Sequence, residues 1–238
     1  MRLQSSLRLF AAVLGVAAIL VMSMAAQQQP GKPGPAGTAA SHEHTGSPGG
    51  ASALPAILPR NEEVALAEIA GPASIAKDAA IYVLERGKGY AMAREGKNGF
   101  ACFVNRDRAE TLEPVCLDPE GVATILPVYF ERAKLREEGM DRDAIQREIN
   151  LGFSSGKFRA PRRAGISYML YNENRVPAGG RVITYPSHVM IFAPYVKNSD
   201  IGADMKDPWM PWVLNPGTPQ AYIIVRTGGS QPSGNAQR

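Results

Sequence analysis

Two cysteines, three histidines and two tryptophans in 238 residues leave little material for metal or redox chemistry. Cys102 and Cys116 have no C-x-x-C spacing and no nearby histidine, which argues against a redox pair or an activated thiol. No internal repeat of useful length occurs, and the 24 glycines and 19 prolines follow no collagen period. An apolar share of 45% is too high for a wholly disordered chain, and a charged share of 20% is too polar for a multi-span membrane protein. A surplus of one charge sign is also small, with 26 basic against 22 acidic residues.

What is present at the amino terminus is an export signal. Arg2 and Arg8 precede an apolar run over residues 9–22, and Ser23-Met24-Ala25-Ala26 supplies the small residues of a cleavage site. The competing reading is an uncleaved anchor, since residues 9–26 lie at the short edge of what spans a bilayer core of roughly 30 Å. No cysteine near the junction offers a lipid attachment point, and there is no twin-arginine pair. Cleavage after residue 26 removes two basic residues and no acid, leaving 24 against 22. So slight a surplus gives no general affinity for nucleic acid, which requires a clustered positive face. Export places the chain in the periplasm or outside the cell, where an even pair of cysteines closes. A Cys102–Cys116 disulfide enclosing a loop of about 15 residues contributes roughly 3 kcal/mol by restricting the unfolded chain.

Residues 27–58 are rich in Gln, Gly, Pro, Ala, Ser and Thr with few large apolar side chains, the composition of a disordered linker. His42-Glu43-His44 lies within it and lacks the second ligand pair and rigid frame of a metal site. A single α+β domain is expected over residues 59–227, followed by a flexible tail at 228–238. Asn61 is placed to cap a helix reaching residue 69, with Glu62 and Glu63 in its first turn and Gly71 as its stop. Residues 81–84, 90–94 and 100–104 are strand-like runs separated by glycine-rich turns, read as a three-strand meander. The disulfide staples them to a fourth strand around residues 115–117. Pro127 opens a helix ending before Gly139, and Asp141 caps a second with a stripe of Ile145, Ile149 and Phe153. Strands return at 165–171, 182–185, 189–193 and 221–226. This order predicts a mostly antiparallel sheet with a central helical hairpin, one disulfide-stapled domain.

Several short motifs suggest chemistry. Ser74-Ile75-Ala76-Lys77 matches S-x-x-K, and Arg226-Thr227-Gly228 resembles the K-T-G of penicillin-binding proteins. Tyr171-Asn172-Glu173 breaks the middle motif such a serine enzyme needs. Gly152-Phe153-Ser154-Ser155-Gly156-Lys157 is one residue short of a phosphate loop and follows a helix, not a strand. His188 with Ser187 and one of Asp200, Asp204 or Asp207 has no G-x-S-x-G support, and the aspartate spacing fits no EF-hand. The sequence therefore assigns no catalytic residue, metal or cofactor. A hydrolase or acyltransferase using Ser74 and Lys77, or His188, is the rival to a non-catalytic binding or envelope-associated protein.

The least generic feature is a charge asymmetry. Residues 157–181 carry six basic side chains against Glu173, whereas residues 60–150 carry 13 basic and 17 acidic. Arg159, Arg162 and Arg163 with the rigid aromatics Tyr168, Trp209 and Trp212 form the candidate binding set, suited to an anionic polymer or an envelope protein. The structural alternative pairs Arg162 and Arg163 with the helical acids Glu137 and Glu138 and lets the tryptophans close a sheet edge. No nucleic-acid partner is expected, and membrane contact follows only from an uncleaved signal. Lys88-Gly89-Tyr90, Gly96-Lys97-Asn98-Gly99-Phe100-Ala101-Cys102 and Lys157-Phe158-Arg159-Ala160-Pro161 resemble segments of a family of exported bacterial proteins with no assigned activity. That resemblance spans about residues 71–225 and implies export and one compact domain, with no site to carry over.

Overall fold

Short β-type runs flanking a pair of amphipathic helices assemble into an eight-stranded sheet with helices on both faces. The computed structural model describes residues 54–207 and 209–228. Residues 1–53, which include the stretch read as an export signal, most of the expected linker and the histidines His42 and His44, and the residues beyond 228 lie outside the described residues. Among the described residues no helix is long and apolar enough to cross a membrane.

The chain enters through α1 (Arg60–Glu68) and the single turn α2 (Ala73–Ala76). Pro59, not Asn61, occupies the α1 cap position, and no side chain caps that end. Glu63 is 2% exposed and accepts a 2.6 Å hydrogen bond from the equally buried Arg106, while Leu58 N donates to the same oxygen. Its role is a buried link between helix and sheet, beyond the favourable dipole placement the sequence suggested.

Next come β1 (Ala80–Glu85), β2 (Gly89–Arg94), β3 (Ala101–Asn105) and β4 (Glu113–Leu117). They are not a simple meander. β2 pairs antiparallel with one edge of β1, and β3 pairs parallel with the other. The link between β2 and β3 crosses the beginning of β1 instead of turning back beside β2. Lys97 N donates to Asp78 O at 2.7 Å and Asn98 Nδ2 to Ile75 O at 2.8 Å. Gly96 passes so close that a Cβ there would sit 2.3 Å from the Ala80 nitrogen. A two-to-five-residue glycine turn reads as a hairpin in sequence; here the glycine serves a close backbone crossing.

α3 (Pro119–Thr124) was not evident in the sequence; Asp118 caps it by accepting from Gly121 N at 2.8 Å. α4 (Leu126–Glu137) and α5 (Arg142–Ser154) form the expected helical hairpin, with Asp141 accepting from Ala144 N at 2.8 Å. Ile145 and Ile149 of α5 pack with Val128 and Leu135 of α4 and with Phe158. The remainder is β5 (Ile166–Met169), the detached hairpin β6 (Asn174–Ala178) and β7 (Arg181–Tyr185), then β8 (His188–Phe192), β9 (Trp212–Leu214) and β10 (Tyr222–Arg226). The large sheet runs β2-β1-β3-β4-β5-β8-β10-β9, antiparallel except for β1 and β3. This is the α+β class with a mostly antiparallel sheet.

Alternation along each strand sorts side chains between two cores. On one face Ile81, Val83, Cys102, Val104 and Cys116 pack with Ala67 and Ala70 behind α1. On the other, Phe103, Val115, Leu117, Met190, Phe192 and Ile224 pack against Ile125 and Leu126 near the α3–α4 junction. Cys102 and Cys116 stand opposite each other on β3 and β4 and are joined as a disulfide in the first core.

Candidate functional site

The second face of the sheet is incompletely filled. Between it, the α4–α5 hairpin and the β6–β7 hairpin lies a cavity of about 480 Å³. Such a volume falls within the range of small-molecule pockets, about 300–1,000 Å³. Period-two geometry decides which strand residues face it. Because Val115 and Leu117 face the α4 side, so does Glu113, and across the ladder its partner Asn105 does likewise. The same alternation brings His188 and Met190 from β8, Tyr222 and Ile224 from β10, and Trp212 and Leu214 from β9 onto the wall. From α4 the i, i+3, i+7 residues Tyr129, Arg132 and Arg136 complete it. The β6–β7 hairpin is anchored to the start of β4 by paired backbone bonds between Leu112 and Arg175, and it closes one side through Val176 and Ile183.

The wall is apolar and aromatic, with polar groups of perturbed character. Burial, with help from the Asp107 charge, drives the Glu113 carboxyl up to about 7, against the opposing bond from Asn105 Nδ2 at 2.7 Å and the Arg108 charge. Glu113 keeps part of its surface open to the cavity while protein surrounds its carboxyl. Burial also pushes Tyr129 and Tyr222 well above the usual phenol range, and it pushes His188 down. His188 Nδ1 lies 2.8 Å from Pro186 O, and its ring meets Tyr185 edge-on. Trp212 Nε1 donates to the Tyr185 hydroxyl at 3.0 Å.

The arginines differ in how they are used. Arg136 is buried and committed, donating to Arg106 O and to Asp107 Oδ1, each at 2.9 Å. Arg108 lies 3.9 Å from the other oxygen of Asp107. Arg142 is exposed at the rim. Arg132 is half-buried, and its Nη2 donates to Gln146 Oε1 at 2.8 Å and Gln220 Oε1 at 3.4 Å. It has no carboxylate partner among the described residues, and burial holds its guanidinium below its ordinary pKa.

Of the six residues expected to bind a partner, Trp212 alone lines this cavity. The Arg226 guanidinium lies 5.8 Å from the ring centre of Trp209 and 5.5 Å from that of Tyr185. Tyr168 points to the opposite face, against the disulfide core. Arg159 is exposed between α5 and β5. Arg162 and Arg163 reach neither Glu137 nor Glu138: Arg162 N and Arg163 Nε clasp the two oxygens of Glu120 at 2.8 and 2.9 Å. The backbone bond from Arg162, ahead of the Arg163 contacts, lowers the Glu120 carboxyl pKa.

The residues of the rival catalytic reading are dispersed. Ser74 and Lys77 are exposed at α2, whose buried Ala76 packs in the disulfide core. Ser187 Oγ accepts from Thr227 Oγ1 at 3.2 Å. Asp200, Asp204 and Asp207 each accept from a nearby backbone N–H in their own turns, and no cluster of metal-ligating side chains occurs among the described residues. Lys157, at the end of the phosphate-loop-like segment, pairs with Glu131 at 2.8 Å.

Comparison with known proteins adds no relative: no family model, curated protein or solved structure matches the chain.

Proposed function

We propose that this chain is a non-catalytic binding protein of an oxidising compartment outside the cytoplasm, and that its ligand is a small molecule held between the sheet and the α4–α5 hairpin. The apolar leader-like run over residues 9–22 and the disulfide support the compartment. The carrying observation for binding is the cavity itself: four aromatic side chains, Tyr129, Tyr185, Trp212 and Tyr222, surround it together with a few polar groups. Among the described residues no serine or cysteine lines it, and the one threonine that does, Thr111, accepts a bond from Arg108 N at 3.2 Å.

Titration with the fluorescent dye anilinonaphthalenesulfonate tests this reading, with Trp212 emission as a second signal. One saturable site is expected in the intact protein. Val176→Trp, which projects an indole into the cavity from the β6–β7 hairpin, should abolish saturation and leave the thermal transition nearly unchanged. Equal, unsaturable dye uptake by both proteins would refute the reading.

One observation favours a second reading. A cavity carboxyl titrating near 7 has the property required of a general acid–base. Turnover of a bound ligand, lost in Glu113→Gln with affinity retained, would establish catalysis in place of binding.

A further inference from the structure

The cavity does not end at its inner wall. Arg132, Gln146, Asn215 and Gln220 line both the cavity and a second, more open groove beyond it. These four side chains therefore form the neck between an apolar chamber and a groove open to solvent. Arg132 donates from Nη2 to the carbonyl oxygens of Gln146 and Gln220, and among the described residues its Nη1 and Nε make no hydrogen bond. A guanidinium carries five N–H donors in a planar fork suited to a carboxylate. Here much of that capacity is uncommitted, in a place that already penalises the charge.

Charge across the cavity indicates how much negative charge the ligand bears. Arg136 is spent on Asp107, Arg108 shares the same carboxylate, and Arg142 stands exposed at the rim. The uncompensated cation at the neck is thus one residue, Arg132. Asp107 is already matched by Arg136 and Arg108, and burial favours the neutral form of Glu113, so neither carboxyl answers for the ligand's charge, and the neck offers a single guanidinium to it. The chamber behind the neck offers Tyr129, Tyr222, Met169, Met190, Trp212 and Ile224, which suit a flat or short apolar body.

We infer that the ligand is a small amphipathic monoanion, a monocarboxylate with an aromatic or short aliphatic body, whose charged group Arg132 takes at the neck while the body fills the chamber. This inference rests on the binding reading above. A dianionic phosphate would leave a charge unmatched, and a neutral ligand of the same shape would leave Arg132 buried behind it without an anion.

Equilibrium dialysis of the full chain, disulfide intact, against naphthoate and its neutral near-isostere naphthamide provides the test. Naphthoate is expected to bind at least about tenfold more tightly, a difference of 1.4 kcal/mol. Arg132→Gln should bring the two to parity, Arg132→Lys should keep the preference, and Arg147→Gln, exposed on α5 away from the cavity and groove, should leave it unchanged. Parity in the unaltered protein, or a preference that survives Arg132→Gln, overturns the inference. If Arg132→Gln does not fold, the unaltered protein and Arg132→Lys still decide it, since both must prefer the anion. Dye binding without anion preference removes the ligand class alone; failure of the dye and both naphthyl probes removes the cavity reading as well.

Discussion

Glu113 is a carboxyl whose chemistry departs from what its type suggests within the neutral pH range, and its effect on stability has a definite sign. In the unfolded chain it releases its proton near 4.5; in the folded protein it holds it to about 7. Between those values the native state binds more protons than the unfolded state, so this residue lowers stability as pH rises across the window, and its effect is constant above it. Asp107 reinforces the shift, while Asn105 and Arg108 oppose it. Glu113→Gln, which cannot ionise and retains a polar group beside Asn105, should melt several degrees above the unaltered protein at pH 8. The gap should close toward pH 4.5. Thermal melts of both proteins across this range check it; a constant gap would place the Glu113 carboxyl in an ordinary environment. Glu63 is a different case, a buried side chain whose Oε1 accepts a 2.6 Å bond from the buried Arg106 guanidinium. Truncating it in Glu63→Ala leaves Arg106 charged, 5% exposed and without its anion, at a cost of about 3–5 kcal/mol. Replacing both partners by apolar residues should recover much of that loss, as chemical denaturation of the three variants would measure.

At the scale of elements, Gly96 governs how β1, β2 and β3 are ordered. Its missing Cβ would lie 2.3 Å from the Ala80 nitrogen and 2.9 Å from the Ala79 carbonyl carbon, both backbone atoms that no rotamer change can move aside. Gly96→Ala is therefore expected to cost about 3 kcal/mol or more, read from the denaturant midpoint. Gly87→Ala, where a Cβ meets nothing within 4 Å but φ is +70°, should cost only the local strain of a left-handed residue, about 1 kcal/mol. Similar losses at the two sites would mean that β2 and β3 are joined by an ordinary turn. The same segment shows where sequence reading ends. Ile81, Val83, Phe103 and Val115 announced their strands through residue type, but alternation says nothing of which neighbour a strand selects, so the parallel pairing of β1 and β3 was invisible. Asp141 declared its helix because cap and stripe agreed, whereas α3 hid behind Pro119 and Gly121, and three-residue β9 is too short to show a period. The site was harder still. Glu113, Arg132, His188, Trp212 and Tyr222 are scattered over more than a hundred positions, and only tertiary folding unites them. Two local signals that the sequence carries without marking them as a site are a glutamate in the same alternating set as Val115 and Leu117, and two arginines at helical spacing with Tyr129. Trp212 stands out in sequence as a rigid aromatic, while the charge of Arg163 is taken up by Glu120, which also accepts from the backbone N–H of Arg162.

Across the whole molecule the sheet has two differently supported halves, and the disulfide belongs to the one without the cavity wall's ligand-facing groups. Cys102 and Cys116 point toward α1, where Gly71 lies so close that a Cβ would meet Cys116 Sγ at 3.3 Å. On the same two strands Asn105 and Glu113 point the other way, into the cavity. Reduction therefore acts on the unfolded chain and on the far core before it acts on the site. Releasing a crosslink of sequence separation 14 should cost roughly 3 kcal/mol. At about 2–4 °C per kcal/mol for a domain of this size, the melting temperature should fall by about 6–12 °C. Five ladder partners, from Ala101 with Leu117 to Asn105 with Glu113, continue to hold β3 beside β4 without the sulfur bond. Dye affinity measured well below the lowered transition should accordingly match that of the oxidised protein within about twofold, because ΔΔG values of distant sites with no shared partners are independent to about 0.3–0.5 kcal/mol. Paired calorimetry and dye titration, with and without a thiol reductant, separate the two effects. Loss of the dye site while the cooperative melt persists would show that the crosslink sets the position of Glu113 itself, and the two faces of β3 and β4 would then have to be treated as one coupled unit.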